Sequence, residues 1–269
     1  MTGPYVQYRV AGGAATLTLD SPHNRNALST RLVTELRQGL ADAAADPAAR
    51  AVVLTHTGGT FCAGADLAEA STAAGNDTGA SVGAAAGPAA LAAARTQPMI
   101  DLLRAILELP KPVIAQVDGH VRAGGMGLVG ACDIVIAGPS CTFALTEARL
   151  GLAPSVISLT VLPRLTSRAA GRYFLTGEKF GPQEAARLGL VTIAPDDTAE
   201  ATAAILGQLR LASPQGLAES KALTTAAVLA EFDRSADRLA AQSARLFASE
   251  ESLEGMNAFL QKRPPGWAR

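Results

Sequence analysis

Residues 111–151 place the strongest constraint on the fold of this chain. Residues 112–117 and 134–137 are two short apolar runs with many β-branched residues, and each predicts a buried strand. Between them, Asp118 and Gly119 end the first run, and a glycine-rich turn at residues 124–127 opens a short apolar helix. The stretch therefore predicts a strand, a glycine turn, a helix of barely two turns and a second strand in close succession.

Glu147 follows as the one carboxylate on a segment that is otherwise mostly apolar or small. Amides exposed at a helix start, near a lone carboxylate, are the parts of an acid–base site that stabilises an oxyanion. In the alternative interpretation, Glu147 lies on the surface or pairs with Arg149 or Arg122. The neighbours Phe143 and Leu150 favour an enclosed carboxyl, and burial would raise its pKa toward a value suited to general acid–base catalysis.

Composition and charge limit the classes of protein that remain. The chain has 269 residues, is 48% hydrophobic and has a net charge of −1, as expected for one large domain or a core with a small appendage. There is no clustered basic stripe, so no nucleic-acid partner is expected, and no long apolar run or signal-peptide pattern, so no membrane partner is expected. Three cysteines in apolar surroundings predict reduced thiols and a cytoplasmic protein.

The first hundred residues alternate strand and helix signals. Residues 5–10 and 14–19 predict a hairpin, Ser29 or Thr30 is expected to cap a helix to about residue 45, and residues 51–55 predict a strand. The segment TGGTFCAGADL, which starts at Thr57, is expected to form a loop. Residues 70–90 are rich in Ala, Gly, Ser and Thr, which is typical of a mobile surface loop. A lid that orders over a ligand is the alternative.

Strand signals nearly vanish after Gly151, where the pattern becomes helical. Helices are predicted there at residues 155–162, 167–175, 182–188, 198–211, 214–230, 232–247 and 250–260. One further helix is predicted before this point, at residues 98–109. The chain is therefore expected to divide into a core of strands and helices, residues 1–195, and a C-terminal helical region, residues 196–269.

Two familiar motifs lead to negative predictions. Gly125, Gly127 and Gly130 match the GxGxxG pattern of dinucleotide sites, but the helix is too short and lies too far from the preceding strand. Cys62 has no histidine paired with it by any recognisable pattern and is expected to pack in the core. The three histidines are scattered, so no metal site is expected.

A set of longer motifs spans nearly the whole chain. They are NRNAL (24–28), FCAGADL (61–67), KPVIAxVxG with AGGxxL and ACD (111–133), FALTExRLG (143–151), LTGEKF (175–180), AxxxGLV (185–191) and EGMxAFLxKRxPxW (254–267). In identity and order these motifs resemble the enoyl-CoA hydratase/isomerase family, also called the crotonase superfamily.

The resemblance implies an α/β fold in which ββα units wind into a crotonase-like spiral, with a C-terminal helical region that helps the protein trimerise. It implies an acyl-CoA substrate, a homotrimer or dimer of trimers, and no separate cofactor, since coenzyme A is part of the substrate. Ala65 and Gly124 match the positions whose backbone amides bind the thioester oxygen.

The resemblance also implies a binding surface for the coenzyme A part of the substrate. Ala63 lies in the segment that lines the adenine and pantetheine. Arg25 and Ala27 match the N-terminal loop along the coenzyme. Phe259 and Lys262 match C-terminal positions that, in the family, reach the coenzyme, often from a neighbouring subunit.

The sequence departs from the two-glutamate hydratase pattern at one position. Glu147 matches the second glutamate, but the first falls on Gly127, which has no side chain. Hydration with a single glutamate as acid and base is the leading prediction, and a shift of a double bond from C3–C4 to C2–C3 is the alternative. A non-catalytic acyl-CoA-binding protein and an RNA-binding side role are the hypotheses from other classes.

Residues 151–158 replace the glycine-rich run of two-glutamate members, and with Gly127 they resemble hydratases that act on branched or carboxylated acyl groups. Arg122 and Gly127 are therefore candidates for the acyl pocket, with Arg122 paired to a substrate carboxylate. A solvated loop cation is the alternative for Arg122.

Overall fold

The computed structural model describes residues 3–66, residue 69 and residues 88–268, and for residues 88–95 it describes the backbone alone. The strands in these parts are β1 (Val6–Ala11), β2 (Ala14–Leu19), β3 (Ala51–His56), β4 (Thr60–Cys62), β5 (Val113–Val117), β6 (His120–Arg122), β7 (Ile134–Ala137) and β8 (Phe143–Ala144). The α-helices are α1 (Thr30–Ala45), α2 (Pro88–Glu108), α3 (Gly124–Ala131), α4 (Ser158–Val161), α5 (Ser167–Thr176), α6 (Pro182–Leu188), α7 (Thr198–Leu209), α8 (Pro214–Phe247) and α9 (Glu250–Leu260). Three 3-10 turns lie at Pro22–Asn24, Glu147–Leu150 and Leu162–Arg164.

The strands form two sheets. The larger sheet has the order β1-β2-β3-β5-β7, and the smaller sheet has the order β4-β6-β8. Strands β1 and β2 pair antiparallel, as the predicted hairpin requires, and every other pair in the two sheets is parallel. Because parallel strands are usually buried on both faces, the apolar runs of β3 and β5 suit this arrangement.

A strand–strand–helix unit recurs along the chain. In β3–β4, β5–β6 and β7–β8, the first strand joins the larger sheet and the second joins the smaller sheet. Helix α3 follows the second of these units, and the 3-10 turn at Glu147–Leu150 and then α4 follow the third. The predicted spiral of ββα units is confirmed, and so is a helical C-terminal region, which α7, α8 and α9 form.

Many predicted boundaries agree with the structure. The Ser29 side chain caps α1 by accepting from the Leu32 amide at 3.3 Å, and α1 buries Leu32, Val33, Leu36 and Leu40 against the core. Four of the predicted elements, β2, β7, α6 and α9, have the expected bounds. The division of the chain at residue 195 stays a prediction.

The loop prediction for the segment TGGTFCAGADL was wrong at β4, and the residues at β6 and β8 had no strand prediction. Strands β4, β6 and β8 are two or three residues long and together form the smaller sheet. Strands of this length are too short to show an alternating pattern, so the residues alone did not predict them.

Two helix boundaries were also predicted wrongly. Helix α2 begins at Pro88, so Pro98 lies inside it rather than at its start. Helix α8 runs unbroken over 34 residues, where a break near Glu231 was expected. Its buried positions recur every three or four residues through that point, at Lys221, Thr225, Val228, Phe232, Ser235 and Leu239, because one continuous stripe packs on the core.

The proposed mobile loop or lid at residues 70–90 falls largely outside the described residues. Only its end, residues 88–90, is described, as the first turn of α2. In the described parts of the chain, no helix is both long and apolar enough to cross a membrane.

A buried ion pair fastens α8 to the core. Lys221 Nζ lies 2.8 Å from Asp133 Oδ2, and the two side chains are 4% and 16% exposed. Lys221 also donates to the Ile106 carbonyl at 2.7 Å, and Asp133 accepts from the Val113 amide at 2.7 Å. Desolvation lowers the pKa of Lys221 although Asp133 opposes the shift. The pair therefore joins the end of α2, the start of β5 and the N-terminal part of α8.

We expect Lys221→Met to lower the free energy of unfolding by about 3–5 kcal/mol, because it leaves the Asp133 carboxylate buried and unpaired. The double variant Lys221→Met/Asp133→Asn should lose less. Chemical denaturation measures both. Arg234→Met is the matched control, since its exposed pair with Glu231 should contribute at most about 1 kcal/mol. A loss for Lys221→Met no larger than for this control would contradict the assignment.

Candidate active site

The three residues with proposed chemical roles follow the three strands of the smaller sheet. Ala65 comes three residues after the end of β4, Gly124 two residues after β6, and Glu147 three residues after β8. Because β4, β6 and β8 are parallel, their carboxyl ends meet at one edge of the sheet. Ligands of parallel sheets bind at such an edge. The smaller sheet thus brings Ala65, Gly124 and Glu147 to one edge.

The turn at Gly64 holds two of these segments in contact. Gly64 has φ of +91°, and a Cβ added to it would lie 2.7 Å from Ala123 Cβ and 3.4 Å from the Gly124 nitrogen. On the other side, the Leu28 amide donates to the Gly64 carbonyl at 2.8 Å, next to a bridge between Leu28 and Ala65. Only glycine adopts this φ without strain and leaves room for the Ala123 turn.

The backbone amides of Ala65 and Gly124 are both available to a ligand. Gly124 is the first residue of α3, so its amide has no acceptor within the helix. Neither amide donates to another backbone group among the residues that the structure describes. Ala65 is exposed and Gly124 is half-buried, so both residues are accessible. Two amides near each other at a helix start are the arrangement that stabilises an oxyanion.

Glu147 is a buried carboxyl with one unpaired oxygen. Its side chain is at the first position of the 3-10 turn Glu147–Leu150, and the residue is 9% exposed. Its Oε2 has no hydrogen-bond partner. Among the described residues, the one other buried side-chain nitrogen or oxygen without a partner is Arg50 Nε. Desolvation raises the pKa of Glu147 from about 4.5 to about 7, against a smaller opposing effect of its own amide. Buried polar atoms are normally paired, so this one is a candidate for chemistry.

The alternative interpretation of Glu147 was wrong. The residue is not on the surface, and its Oε2 is unpaired. Arg149 instead donates from Nε to the Thr176 carbonyl at 2.8 Å, and Arg122 donates to Val121 and Thr142. The expected enclosure of the carboxyl, with a pKa raised by burial, agrees with the structure.

The space at Gly127 is filled by apolar side chains. A Cβ added to Gly127 would lie 2.6 Å from Ile157 Cγ2 and 3.3 Å from Met99 Cε. A glutamate at this position would therefore displace Ile157. The sequence indicated a change at residues 151–158, but it did not single out Ile157 or Met99 as neighbours of Gly127.

Arg122 is not a solvated loop cation, so that alternative was wrong. It is half-buried at the end of β6, and its guanidinium donates to the carbonyls of Val121 and Thr142 at 2.8 and 2.6 Å and to the Thr142 hydroxyl at 2.6 Å. Desolvation lowers its pKa. These bonds use three of the five donors of a guanidinium, so a substrate carboxylate would have to use the others.

The loop with Arg25 and Ala27 is held by a residue to which the sequence assigned no role. Asn26 is fully buried, and its amide donates to the carbonyls of Thr57 and Thr60 at 3.1 and 2.8 Å. Arg25 is exposed and Ala27 is 5% exposed. Asn26 falls within the NRNAL motif, and that motif was the only signal for it.

Ala63, Phe259 and Lys262 are accessible in the isolated chain. Ala63 is half-buried beside Gly64, Phe259 is 55% exposed near the end of α9, and Lys262 is exposed after it. Helix α9 packs against the 3-10 turn that begins with Glu147. The C-terminal positions are therefore attached to the turn that carries Glu147 through α9.

The described residues contain no group of three or more His, Cys, Asp or Glu side chains that could hold a metal ion. The three cysteines are free and buried. Desolvation raises the pKa of the Cys62 thiol to about 12, which leaves it protonated and unreactive near neutral pH. Its prediction as a packing residue agrees with this environment.

Comparison with known proteins identifies the family. The model of the family "Enoyl-CoA hydratase/isomerase" matches residues 9–269. The chain belongs to the enoyl-CoA hydratase/isomerase family. The 1,2-epoxyphenylacetyl-CoA isomerase of Escherichia coli (strain K12) is 31% identical over 276 residues, covering 97% of each chain.

Solved structures of family members share the fold. The crystal structure of an enoyl-CoA hydratase from Mycobacterium avium matches with a TM-score of 0.89 and 55% identity, over 99% of this chain and 100% of that one. A carnitinyl-CoA hydratase from the same organism matches with a TM-score of 0.81 and 30% identity, over 99% of each chain. The predicted crotonase-like fold and family membership are confirmed.

We expect Gly64→Ala to lower kcat by about 100- to 1,000-fold, the usual cost of losing one oxyanion donor, because the new methyl group would push Ala123 and Gly124 away. Steady-state assays with an enoyl-CoA thioester measure this loss. Gly171→Ala, on the open face of α5 where a Cβ meets nothing within 4 Å, is the control and should keep full activity. Full activity of Gly64→Ala would show that this turn does not set the amide geometry.

The raised pKa of Glu147 also predicts how stability depends on pH. The folded protein holds this proton more tightly than the unfolded chain, so the associated stability is complete below about pH 4.5 and is lost as pH rises through about 7. Glu147→Gln removes this loss. It should therefore be more stable than the parent protein at pH 8, by on the order of 2–3 kcal/mol, and gain little at pH 4.5.

Denaturation at the two pH values measures the difference. Glu178→Gln is a control with the opposite sign, because the Arg172 guanidinium lowers the pKa of Glu178 and its stabilisation is present only at higher pH. A gain for Glu147→Gln that is the same at pH 4.5 and pH 8 would show that the Glu147 carboxyl is not desolvated.

Proposed function

We propose that this member of the family is an enoyl-CoA hydratase that uses Glu147 as its single acid–base residue. The observation that carries the proposal is the buried, unpaired Oε2 of Glu147, at the sheet edge where the Ala65 and Gly124 amides are also available. The names of related proteins support hydration of acyl-CoA thioesters as the reaction class.

In the proposed reaction, the Glu147 carboxylate takes a proton from water while the hydroxyl adds to C3 of the enoyl group. The electron pair of the C2–C3 double bond forms a C1–C2 double bond, and the carbonyl π pair moves onto the thioester oxygen, which gives an enolate. The Ala65 and Gly124 amides donate to that oxygen, each contributing roughly 3 kcal/mol to the stability of the transition state. Collapse of the enolate returns the proton from Glu147 to C2, so one carboxyl completes the cycle.

The pKa of about 7 suits both halves of this cycle. A general acid–base group is most effective when its pKa is near the working pH, since both protonation states are then populated. No separate cofactor takes part in the proposed reaction, because coenzyme A enters and leaves with the substrate.

A double-bond isomerase is the second candidate, and the apolar wall at Gly127 favours it. Ile157 and Met99 occupy the space where a second carboxyl would help to hold water. A buried water usually has two to four polar partners. In isomerisation, Glu147 would remove a C2 proton from a 3-enoyl thioester and return it to C4, which needs no water.

The coenzyme A part of the substrate is proposed to run along Arg25, Ala27 and Ala63 toward Phe259 and Lys262. Support comes from the contact of the Arg25 loop with the Gly64 turn through Leu28, and from the exposure of the two C-terminal residues. Exposed apolar side chains on α9, Leu253, Phe259 and Leu260, support a homotrimer or dimer of trimers, which sedimentation analysis measures.

Glu147→Gln is expected to lower both crotonyl-CoA hydration and 3-hexenoyl-CoA isomerisation by about 100- to 10,000-fold, because the proton carrier is lost. In the parent protein the rate should fall as pH drops below about 7, where the carboxylate becomes protonated. The faster of the two reactions in the parent protein identifies the activity. Binding of crotonyl-CoA without turnover of either substrate would favour a non-catalytic binder.

Glu178→Gln is the control, because the half-buried Glu178 side chain pairs with Arg172, and it should leave both rates unchanged. Equal rates for Glu147→Gln and the parent protein in both assays would remove Glu147 as the catalytic residue. A panel of apolar and carboxylated enoyl thioesters, assayed with Arg122→Met beside the parent protein, tests the proposed carboxylate contact at Arg122.

A further inference from the structure

The C-terminal end of α3 is held by side chains from a neighbouring segment. Arg164 donates from Nε to the Gly130 carbonyl at 3.0 Å and from Nη2 to the Cys132 carbonyl at 3.5 Å. The buried Thr160 hydroxyl donates to the Gly127 carbonyl at 3.0 Å. The Thr160 contact reaches the middle of the helix whose first residue is Gly124, and the Arg164 contacts reach its last turn.

Helix α3 depends on such contacts more than most helices do. Four of its eight residues are glycine, which is a poor helix former, and its N-cap, Ala123, makes no side-chain hydrogen bond. The last carbonyls of a helix also lack partners within it. Arg164 supplies donors at this end and Thr160 supplies one at the middle of the helix, so both side chains act on the position of the helix along its axis.

Charge at this end also acts on the other end of the helix. The helix dipole places partial negative charge at the C-terminus, where a guanidinium is stabilising, and partial positive charge at the N-terminus. Eight residues span only about 12 Å. The Arg164 cation therefore offsets the negative end of the dipole and strengthens the positive potential at the Gly124 amide.

We propose that Arg164 and Thr160 are positioning residues for the oxyanion-binding amide of Gly124. They fix the axial position of α3 through its Gly127 and Gly130 carbonyls, and Arg164 adds a favourable charge. This inference rests on the proposed function, in which the Gly124 amide receives charge from the thioester oxygen.

The experiment uses two probes. The first is butyryl-CoA labelled with ¹³C at its thioester carbonyl, which is saturated and cannot be hydrated, so the bound chemical shift reports polarisation by the amides. The second is S-butyl-CoA, a thioether that lacks the carbonyl. Both are measured with Arg164→Lys, Arg164→Met and Thr160→Val, alongside kcat, KM and the pH–rate profile.

Arg164→Met is expected to reduce the downfield shift of the bound carbonyl and to lower kcat by about 5- to 30-fold. Arg164→Lys keeps the charge and should recover part of both. Thr160→Val, which is nearly isosteric, should lower kcat by about 2- to 10-fold. KM, the affinity for S-butyl-CoA and the apparent pKa in the pH–rate profile should not change, because neither Glu147 nor the coenzyme surface is altered.

Arg187→Met is the matched control, since Arg187 lies in the last turn of α6 and its guanidinium donates to Glu184 on the same helix. It should leave every readout unchanged. A carbonyl shift and kcat that stay at parent values in Thr160→Val and both Arg164 variants would overturn the inference. If Arg164→Met fails to fold, Arg164→Lys and Thr160→Val decide the question.

A failure of the proposed function would give a different result from a failure of the positioning role. If the parent protein binds labelled butyryl-CoA without any downfield shift of the carbonyl, the Ala65 and Gly124 amides do not bind the thioester oxygen. A clear shift in the parent protein that the Arg164 and Thr160 variants leave unaltered removes only the positioning role.

Discussion

The parallel pairing of three very short strands is the constraint on which the site depends. Strand β6 pairs with β4 on one side and with β8 on the other, through Cys62 with Val121 and through Arg122 with Ala144. The pairs are too few to stabilise a sheet alone, so the smaller sheet depends on the larger sheet, which holds β3, β5 and β7. A slip of β6 by one residue would turn its side chains to the opposite face and move Gly124 away from the Gly64 turn.

The buried carboxyl of Glu147, with one unpaired oxygen, makes the folded protein less stable. Burying a carboxyl without a full set of hydrogen bonds lowers stability, and the protein partly avoids the cost by holding the proton up to about pH 7. The same desolvation makes the group able to accept and return a proton near neutral pH. Stability and proposed activity thus respond in opposite directions to the burial of one side chain.

Helix α3, which has eight residues, has two roles at the proposed site. Its first residue offers an amide to the proposed oxyanion, and its glycines allow close packing on Ile157 beside Gly127. That packing leaves the site with one carboxyl where related two-glutamate hydratases have two. A helix so rich in glycine has little stability of its own, so contacts from outside it, such as those of Arg164 and Thr160, determine where its first amide lies.

The sequence alone determined the family, the ββα spiral, and the elements with strong periodicity or clear caps, such as α1 with its Ser29 cap and the bounds of β7 and α9. It also identified Glu147, because a lone carboxylate among apolar residues is visible without coordinates. The family and the spiral came from the resemblance of the longer motifs. Local signals suffice for the other cases because helix caps and apolar runs act over a few neighbouring residues.

The tertiary structure alone decided what depends on residues far apart in the chain. Strands β4, β6 and β8 are too short to carry a pattern, and α8 continues past Glu231 because a buried stripe meets the core on both sides of it. Ile157 fills the space at Gly127 across 30 residues of chain. The unpaired state of Glu147 Oε2 likewise follows from its three-dimensional surroundings, because desolvation is a property of the packed environment and not of the neighbouring sequence.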